Sequence, residues 1–434
     1  MSSIFCPALF IAAPSSGQGK TTITAAIARY HRLQGRKVRI FKMGPDYLDP
    51  QILEQASGHP VVQLDLWMAG EEYCRHQFYK AAETADLILV EGAMGMFDGE
   101  PSSADLAATF GIPVALLMDV KGMAQTAVAL ATGLANYRDD VRVVGLIANN
   151  CASERHRQLI ADAWPSELPM LATISRDPEI SLPERHLGLV QASEVSVELE
   201  ACFNKAAEMI AQGELASLPE AIEFKQCNLP AVPRTLEGKR IAIARDEAFS
   251  FIYAANVQLL EDMGAELLYF SPIRDEQLPT ADALWLPGGY PELHAKALAE
   301  NHHLKVQIRD FYCADKPILA ECGGFMYCLE SLRDLEGQQF SMLGLLDGDA
   351  AMRERGGCQG MQFAVLPEGE LRAHSHHRSA AENTPAPISY GRRQRHPAPG
   401  EAIFRAKGLT ASYLHLFFPS NPSALTALFA AKEA

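Results

Sequence analysis

The sequence predicts an α/β protein with two domains, each organised around a parallel β-sheet. Short apolar runs alternate with stretches of helical periodicity in two separate series, as in parallel sheets covered by helices on both faces. The 434 residues are also too many for one hydrophobic core. The two series are separated by an irregular segment that contains several prolines. We therefore expect domains at 1–212 and 238–434 and a linker at 213–237.

The first domain is predicted from five apolar runs and a glycine-containing loop. The runs cover residues 9–13, 38–43, 87–90, 114–118 and 143–148. The first run leads into IAAPSSGQGKTT at 11–22, at the head of an amphipathic helix. Such a loop directs backbone N–H groups at phosphate oxygens. The candidate ATP-binding residues are Gly17, Gln18, Gly19, Lys20, Thr21 and Thr22.

Within this loop, Lys20 is placed to reach the terminal phosphates and Thr21 to hold a magnesium ion. Pro14 occupies the position of the usual first glycine, so the general phosphate-loop pattern is matched imperfectly. An ordinary structural turn is the alternative interpretation.

Acidic residues follow two of the predicted strands. Asp46 and Asp49 lie between prolines after the second strand, where a solvated turn is the alternative. Glu91 directly follows the third, as in a Walker B strand, and Asp98 lies in the glycine-rich continuation. Four clustered carboxylates repel one another unless cations separate them, so we interpret them as magnesium ligands and substrate-positioning groups.

Three further features of the first half of the chain follow the acidic residues. Asn149 ends the last run of the series and is a candidate for adenine recognition, with a turn role as the alternative. Another strand is expected at 169–175 and a helix at 195–211. Between them, Arg185 and His186 are candidate contacts to an anionic substrate, although a surface turn is the preferred interpretation.

The second domain begins a new series at Arg240. Strands are predicted at 241–244, 266–270 and 283–286, with a helix at 251–263. Residues 316–327 read as strand, sharp turn and helix, with Cys322 at the turn. This arrangement is that of a nucleophile elbow, which we expect to expose the sulfur and lower its pKa.

A cysteine nucleophile needs a base and donors for an oxyanion. Gly288 and Gly289, in PGGYPE, and Gly323 can supply backbone donors, and His415 in the strand-like segment 412–417 is the preferred base. The competing histidines form a cluster that could instead bind a metal, but no matching Cys or acid pattern accompanies them. These histidines are His374, His376 and His377.

The composition of the chain excludes several classes of binding partner and structural site. The formal net charge of −15 argues against nucleic acid or an anionic membrane surface as a partner. No apolar run approaches the roughly 20 residues of a membrane span, and the first seven residues lack an export-signal pattern, so we expect a cytoplasmic protein. The nine cysteines contain no C-x-x-C pair, which disfavours a zinc knuckle or a disulfide framework.

Taken in order, the motifs resemble the cobyrinic acid a,c-diamide synthase family over nearly the whole chain. They are PSSGQGKTT, KMGPDYLDP, VEGAMGMFDG, LPERHLGL, PGGYPE, AECGGFMY and SYLH. The resemblance implies a dethiobiotin synthetase-like P-loop domain followed by a class I glutamine amidotransferase-like domain. It implies ATP-dependent amidation of the a and c carboxylates of a corrin, cobyrinic or hydrogenobyrinic acid, with glutamine as ammonia donor and Mg²⁺ as cofactor.

The resemblance also implies residue roles. Cys322 would attack glutamine with His415 as base, while Lys20, Thr21 and Glu91 would position ATP and magnesium. Five residues match family positions implicated in substrate or metal handling, with Asp46 also a candidate metal ligand. They are Asp46, Tyr47, Leu48, Asp49 and Asp98.

The chain departs from the family pattern at two places. Residues 373–379 read AHSHHRS where the family commonly has a Gly-His-Glu-Phe-His-Tyr-Ser-like segment, and the basic, proline-rich segment 382–400 is interpreted as a mobile loop facing an anionic macrocycle. Many related amidotransferases carry an acid two residues after the histidine, where this chain has Phe417. Cys322 and His415 would then act as a dyad or use another orienting group.

Several alternatives stay open. The chain could act on another tetrapyrrole, resemble cobyric acid synthase, or be a nucleotide-binding regulatory homologue without turnover. The sequence does not settle whether the corrin contains cobalt, the order of amidation, the route of ammonia, or the oligomeric state, for which a homodimer is one option.

Overall fold

The computed structural model describes residues 2–165, 168–180, 182, 192–357 and 359–430. The chain divides into two compact units, residues 1–229 and 230–434. Both units contain a sheet with parallel strands and flanking helices, so the predicted α/β fold is confirmed. The candidate contacts Arg185 and His186 lie outside the described residues.

The first unit is organised around one sheet in the order β3-β2-β4-β1-β5-β6-β7. These strands are parallel, and β8 pairs antiparallel with the first half of β1. The strands are β1 (Ser3–Ala12), β2 (Val38–Met43), β3 (Val62–Leu64), β4 (Leu87–Glu91), β5 (Val114–Asp119), β6 (Val143–Cys151), β7 (Met170–Ser175) and β8 (Ala221–Lys225).

Helices cover both faces of this sheet. Alternate residues of β1 enter different apolar cores, with Phe10 in one and Ile11 in the other. The helices are α1 (Lys20–Leu33), α2 (Asp49–Ser57), α3 (Glu71–Ala82), α4 (Ser103–Phe110), α5 (Gln125–Ala135), α6 (Glu154–Asp162) and α7 (Ser196–Ile210). The loops after β1, β2 and β4 therefore meet at the carboxyl edge of adjacent strands, where ligands bind in such sheets.

The segment predicted as a linker, 213–237, contains regular structure. A 3-10 turn covers Glu214–Ala216, and β8 pairs with β1 from Ser3↔Lys225 to Pro7↔Ala221. Most side chains of β8 are exposed or half-buried, and Phe224 is the buried one. A strand with so little buried surface leaves a weak apolar pattern, which explains why the sequence reads as irregular here.

The second unit contains a large mixed sheet and a small one. The large sheet has the order β10-β9-β11-β12-β21-β20-β19-β16-β17-β22, parallel from β10 to β21 and antiparallel beyond; the small one has the order β14-β13-β15-β18. The strands are β9 (Arg240–Ala244), β10 (Glu266–Phe270), β11 (Ala283–Leu286), β12 (Ile318–Glu321), β13 (Ser331–Arg333), β14 (Gln339–Ser341), β15 (Asp349–Met352), β16 (Gln359–Leu366), β17 (Gly369–His376), β18 (Ser379–Glu382), β19 (Ser389–Arg393), β20 (Pro399–Ala406), β21 (Leu409–Ser412) and β22 (His415–Leu416).

The helices of the second unit pack against both faces of its large sheet, which again separates two apolar cores. They are α8 (Ala254–Asp262), α9 (Ala295–Glu300), α10 (His302–Cys313), α11 (Gly323–Cys328) and α12 (Pro422–Phe429). Two strand-to-loop junctions matter for function. They are the end of β12, which leads into α11, and β22, which is held against β17.

The interpretation of 382–400 as a mobile loop is wrong. The segment contains β19 and the beginning of β20, which pair with each other. Arg392 forms an ion pair with Glu370 at 2.8 Å and lies over the Phe363 ring at 4.0 Å. The positive charge of Arg392 therefore interacts with residues of its own sheet. The prolines bound the strands, and β19 also pairs with the more distant β16 through Gln362↔Arg393.

Within the described residues, no helix is long and apolar enough to cross a membrane.

Candidate active site

The loop between β1 and α1 is shaped by two glycines with positive φ. Gly17 has φ +77°, and Gly19, the N-cap of α1, has φ +92°. A Cβ at Gly19 would lie 2.6 Å from the Asn149 amide nitrogen. The Gln18 side chain accepts a hydrogen bond from the Asp119 backbone at 2.8 Å. The sequence thus produces a tight loop that leads into a helix N-terminus, as phosphate binding requires.

Lys20 and Thr21 begin α1, and their side chains have different hydrogen-bond partners. Lys20 Nζ donates to the carbonyls of Met94 (2.7 Å) and Ser15 (3.1 Å). Thr21 Oγ1 donates to Glu91 Oε1 at 3.0 Å. Burial and the nearby positive charge of Lys42 lower the pKa of Lys20, against the opposite effect of the surrounding carboxylates.

Lys42, which the sequence analysis did not single out, lies among three of the predicted acids. Its ammonium is 2.6 Å from Glu91 Oε1, 2.7 Å from Asp49 Oδ2 and 3.7 Å from Asp46 Oδ2. The parallel pairing of β2 and β4 sets Lys42 directly opposite Glu91. A cation therefore does separate these carboxylates, as expected, but the cation within the protein is an ammonium. The available signal was a lysine flanked by apolar residues near the end of a predicted strand.

The three acids differ in burial and in their pKa. Glu91 is fully buried, and burial raises its pKa to about 7 against the opposing charge of Lys42. Burial and the neighbouring charge of Asp49 raise the pKa of Asp46 to about 6. Burial would also raise the pKa of Asp49, but the charge of Lys42 and its hydrogen bond hold it below its usual value.

Glu91 and Thr21 suit a divalent cation brought in with a nucleotide. Glu91 Oε2 is buried and has no hydrogen-bond partner among the described residues. No group of three or more His, Cys, Asp or Glu side chains in the described part of the chain could hold a metal by itself. Magnesium is commonly held by one or two protein oxygens together with phosphate oxygens, and these two side chains fit that pattern.

The other candidate residues of this unit lie around the same loops. Asp98 accepts a hydrogen bond from the Gly95 backbone at 3.1 Å, and Asn149 donates to the Gln18 carbonyl at 2.9 Å. Asp46 Oδ1 accepts from the backbone of Leu48 and Asp49, which shapes the start of α2. Tyr47, Leu48 and Thr22 are half-buried. Adenine recognition by Asn149 stays a prediction, because its amide is engaged with the loop.

In the second unit, Cys322 lies at the turn between β12 and α11. Its φ is +47°, a conformation that costs a non-glycine residue energy and is typical of strained functional turns. Its backbone N–H donates to the Ser412 carbonyl at 2.8 Å, which ties the turn to the end of β21. A Cβ at Gly323 would lie 3.0 Å from the Gly289 nitrogen. The Gly289 and Gly323 backbones therefore lie together beside the cysteine.

The expectation that this turn exposes the sulfur and lowers its pKa is wrong. Cys322 is only 4 % exposed. Burial and the negative charge of Glu292 raise the pKa of the thiol above its usual value, and a hydrogen bond from the Gly323 backbone opposes this only in part. Burial outweighs the helix N-terminus here, since α11 is short and the surrounding core is apolar.

His415 lies close to Cys322, with Gly288 beside both. A Cβ at Gly288 would overlap the His415 ring and lie 3.3 Å from Cys322 Cβ. His415 is directly opposite His374 in the pairing of β17 with β22. Burial, followed by the charges of His374, His377 and His376, lowers the pKa of His415 well below its usual value. A neutral imidazole, as a base requires, is therefore favoured.

The carboxylate of Glu321 is engaged by the scaffold around this histidine. Glu321 Oε1 accepts from the Leu416 backbone at 2.7 Å, and Oε2 accepts from Trp285 Nε1 at 2.8 Å. Burial raises the pKa of Glu321 to about 8. Its hydrogen bonds hold β22 against β12, so it fixes the backbone that carries His415.

The three clustered histidines, at and just after the end of β17, differ in their surroundings. His374 is buried, and burial lowers its pKa to about 3. His377 Nε2 donates to Glu401 Oε1 at 2.9 Å, and the same oxygen also accepts from Ser375 Oγ at 2.8 Å. The His377 ring stacks on Tyr413 at 3.8 Å. Sequence reasoning missed Glu401, whose contact with His377 depends on the order of strands in the sheet.

Comparison with known proteins assigns each unit to a family model. Residues 9–190 match the CobQ/CobB/MinD/ParA nucleotide binding domain. Residues 240–423 match the CobB/CobQ-like glutamine amidotransferase domain. The first unit is therefore a nucleotide-binding domain and the second a glutamine amidotransferase domain.

Curated relatives cover both units together. The hydrogenobyrinate a,c-diamide synthase of Stutzerimonas stutzeri is 49% identical over 428 residues, 99% of this chain and 99% of its own. The protein of the same name from Pseudomonas aeruginosa is 48% identical, again over 99% of both chains. The cobyrinate a,c-diamide synthase of Herminiimonas arsenicoxydans is 42% identical over 97% of this chain and 96% of its own. This chain therefore belongs to the hydrogenobyrinate and cobyrinate a,c-diamide synthase family.

Proposed function

We propose that this chain converts the a and c side-chain carboxylates of hydrogenobyrinic acid into amides, with ATP as the activating nucleotide and glutamine as the nitrogen donor. The observation that supports this most is the 49% identity to a hydrogenobyrinate a,c-diamide synthase over 99% of both chains. Cobyrinic acid is the second candidate substrate, because a relative of that name is 42% identical.

The glutamine reaction is assigned to Cys322 and His415. His415 takes the thiol proton as the sulfur attacks the amide carbon, and the carbon–nitrogen bond then breaks while the imidazolium returns its proton to the leaving nitrogen. Ammonia leaves, and water hydrolyses the thioester to glutamate. The Gly289 and Gly323 N–H groups stabilise the oxyanion, and Gly288 leaves room for the imidazole beside the sulfur.

The nucleotide reaction is assigned to the loop at 17–22 and its neighbours. A carboxylate oxygen of the substrate bonds to the γ-phosphorus of ATP as the bond to ADP breaks. Ammonia then attacks the acyl carbon, phosphate leaves, and one proton is released. An acyl phosphate is needed because a carboxylate alone is a poor electrophile.

Within this site, Lys20 and the N–H groups of Gly17, Gln18 and Gly19 bind phosphates, with Thr22 in the same turn. Magnesium would neutralise charge on the phosphates, held by Thr21 and Glu91, with Asp46 a further candidate ligand. The residues assigned to substrate positioning are Asp46, Tyr47, Leu48, Asp49 and Asp98. Asn149 is assigned to the adenine edge.

The same proposal assigns a role to each domain and includes the cellular location and the binding partners. Residues 1–212 would form the ATP-dependent amide synthase and 238–434 the glutaminase, joined by 213–237. The cytoplasmic location, the homodimer and the lack of nucleic-acid and membrane partners expected from the sequence are retained as predictions.

The decisive experiment incubates the protein with ATP, Mg²⁺, glutamine and either hydrogenobyrinic or cobyrinic acid, followed by mass spectrometry. We expect two carboxylate-to-amide conversions that require all components, with a higher kcat/KM for hydrogenobyrinic acid. Glutamine hydrolysis without any amide on either corrin would contradict the substrate assignment. More than two amides would favour an activity like that of cobyric acid synthase.

A further inference from the structure

Lys42 is a charged residue of the nucleotide-binding unit to which the proposed mechanism gives no role. Only 3 % of it is exposed, and its neighbours in β2, Phe41 and Met43, are buried apolar residues. Burying an ammonium in a strand costs several kcal/mol unless partners compensate it. Its position therefore calls for an explanation beyond packing.

The charge around Lys42 supplies one part of that explanation. Among the described residues, each ion pair formed by Asp46, Asp49 and Glu91 is made with Lys42. A substrate carboxylate that approaches the terminal phosphate must enter this negative region. Without the Lys42 ammonium, repulsion from the buried acids would oppose both the carboxylate and the phosphates.

The geometry supplies the second part. One oxygen, Glu91 Oε1, accepts hydrogen bonds from both Thr21 Oγ1 (3.0 Å) and Lys42 Nζ (2.6 Å). Thr21 follows Lys20 at the start of α1, where the terminal phosphates of a nucleotide bind. The Lys42 ammonium donates to Glu91 and to Asp49. Both carboxylates also accept a hydrogen bond from Thr21, so the ammonium lies beside the phosphate end of the site.

We propose that Lys42 is a catalytic residue for phosphoryl transfer, whose ammonium binds the anionic oxygens of the transferred phosphoryl group and the attacking carboxylate. This inference rests on the proposed function, because it requires a carboxylate acceptor. As the new carboxylate–phosphorus bond forms and the bond to ADP breaks, charge is spread over these oxygens, and a fixed ammonium stabilises it. Lys42 stays protonated throughout, and Asp49 keeps it in place.

The test uses the full-length protein with an ammonium salt in place of glutamine, so that the cysteine site does not contribute. Lys42→Met and Lys42→Gln remove the charge, and Lys42→Arg restores a cation. The matched control is Lys37→Met, because Lys37 is exposed just before β2. Three quantities are measured: MgATP binding by calorimetry, amide formation, and acyl phosphate trapped as a hydroxamate with hydroxylamine.

We expect the neutral variants to bind MgATP within about threefold of wild type, since Lys20 remains, while kcat and hydroxamate yield fall by about 10²-fold or more. Lys42→Arg should recover part of the loss, and Lys37→Met should match wild type. Glutamine hydrolysis should be unchanged in all variants.

The outcomes separate this inference from the proposed function. If wild-type protein amidates neither corrin, the proposed function fails regardless of Lys42. If wild type is active and either folded neutral variant keeps kcat within about threefold, a catalytic role for Lys42 is overturned. Loss of MgATP binding together with thermal stability in both neutral variants would show that Lys42 is structural, which overturns it as well.

Discussion

The nucleotide site and the cysteine site treat buried titratable groups in opposite ways. In the nucleotide site, an ammonium and carboxylates are buried together as ion pairs, with Lys42 2.6 Å from Glu91. In the cysteine site, burial favours uncharged groups: the pKa of His374 falls to about 3, and the thiol pKa of Cys322 is raised. The same physical cause, loss of water, gives two different electrostatic environments.

The difference matches the two chemistries. Phosphoryl transfer joins two anions, so its site needs fixed positive charge and a place for a metal ion. Cleavage of glutamine begins with a neutral amide, a thiol and an imidazole, and charge develops only as the bond forms. A site that is neutral at rest is therefore suited to glutamine, whereas it would serve ATP poorly.

The largest expected effect is the loss of one activity while the other is kept. Cys322→Ala should lower glutamine-dependent amide formation by about 10³-fold or more, because the nucleophile is lost. With an ammonium salt as nitrogen donor, the same variant should keep its rate within about threefold, since ATP chemistry does not use the sulfur. Amide formation is measured by mass spectrometry with each nitrogen donor in turn.

Cys313→Ala is the matched control, because Cys313 is an exposed cysteine of the same unit. It should behave as wild type with both donors. Loss of ammonia-dependent activity in Cys322→Ala would instead indicate that the cysteine supports the structure.

A smaller effect is expected on the nucleotide side. Thr21→Val removes the hydroxyl that donates to Glu91 at 3.0 Å and is assigned to magnesium. We expect ammonia-dependent kcat/KM to fall by about 10- to 100-fold and the Mg²⁺ concentration for half-maximal rate to rise, while glutamine hydrolysis is unchanged. Initial rates over a magnesium titration measure both effects.

Thr24→Val serves as the control on the same helix, because the buried Thr24 hydroxyl makes no hydrogen bond within the described residues. An equal loss in both variants would mean that the helix is sensitive to any such change. The assignment of magnesium to Thr21 would then be without support.

Sequence alone was sufficient where function depends on residues that are neighbours in the chain. The loop at 17–22 and the turn at Cys322 are continuous segments, and their glycines mark backbone shapes that other residues adopt at a cost. Because a strand precedes each segment and a helix follows it, the fold class and the order of the two units could also be predicted.

Sequence was insufficient where strand order decides the contact. Lys42 faces Glu91 because β2 pairs with β4, and His374 faces His415 because β17 pairs with β22. The partners are far apart in the chain, and register between distant strands leaves no local pattern. The pKa of Cys322 was missed for a related reason: a motif indicates the helix N-terminus, but burial depends on the whole core.

The raised thiol pKa leads to a test of the neutral cysteine site. Alkylation by iodoacetamide requires thiolate, so the rate at Cys322 should rise about tenfold per pH unit from pH 7 to 9 without levelling off. Peptide mass spectrometry follows Cys322 separately from the other thiols. A rate independent of pH over this range would indicate a thiolate–imidazolium pair at rest and would remove the contrast with the nucleotide site.

The smallest expected effect concerns stability in the same unit. Burial lowers the pKa of His374 from 6.5 to about 3, so the folded protein keeps this histidine neutral while the unfolded chain binds a proton below pH 6.5. Its contribution is complete above pH 6.5 and is lost as the pH falls towards 3. The free energy of unfolding should therefore decrease by about 1.4 kcal/mol per pH unit from this group, or about 2 kcal/mol at pH 5.

His374→Asn removes this titration, so the variant should lose less stability than wild type between pH 7 and 5. Urea unfolding of the second unit can be followed through Trp285 after Trp67→Phe and Trp164→Phe. His396→Asn is the control, since His396 is exposed in that unit, and its slope should equal that of wild type. Equal slopes in His374→Asn and wild type would mean that His374 accepts a proton in the folded protein. The cysteine site would then carry buried positive charge, as the nucleotide site does at Lys42.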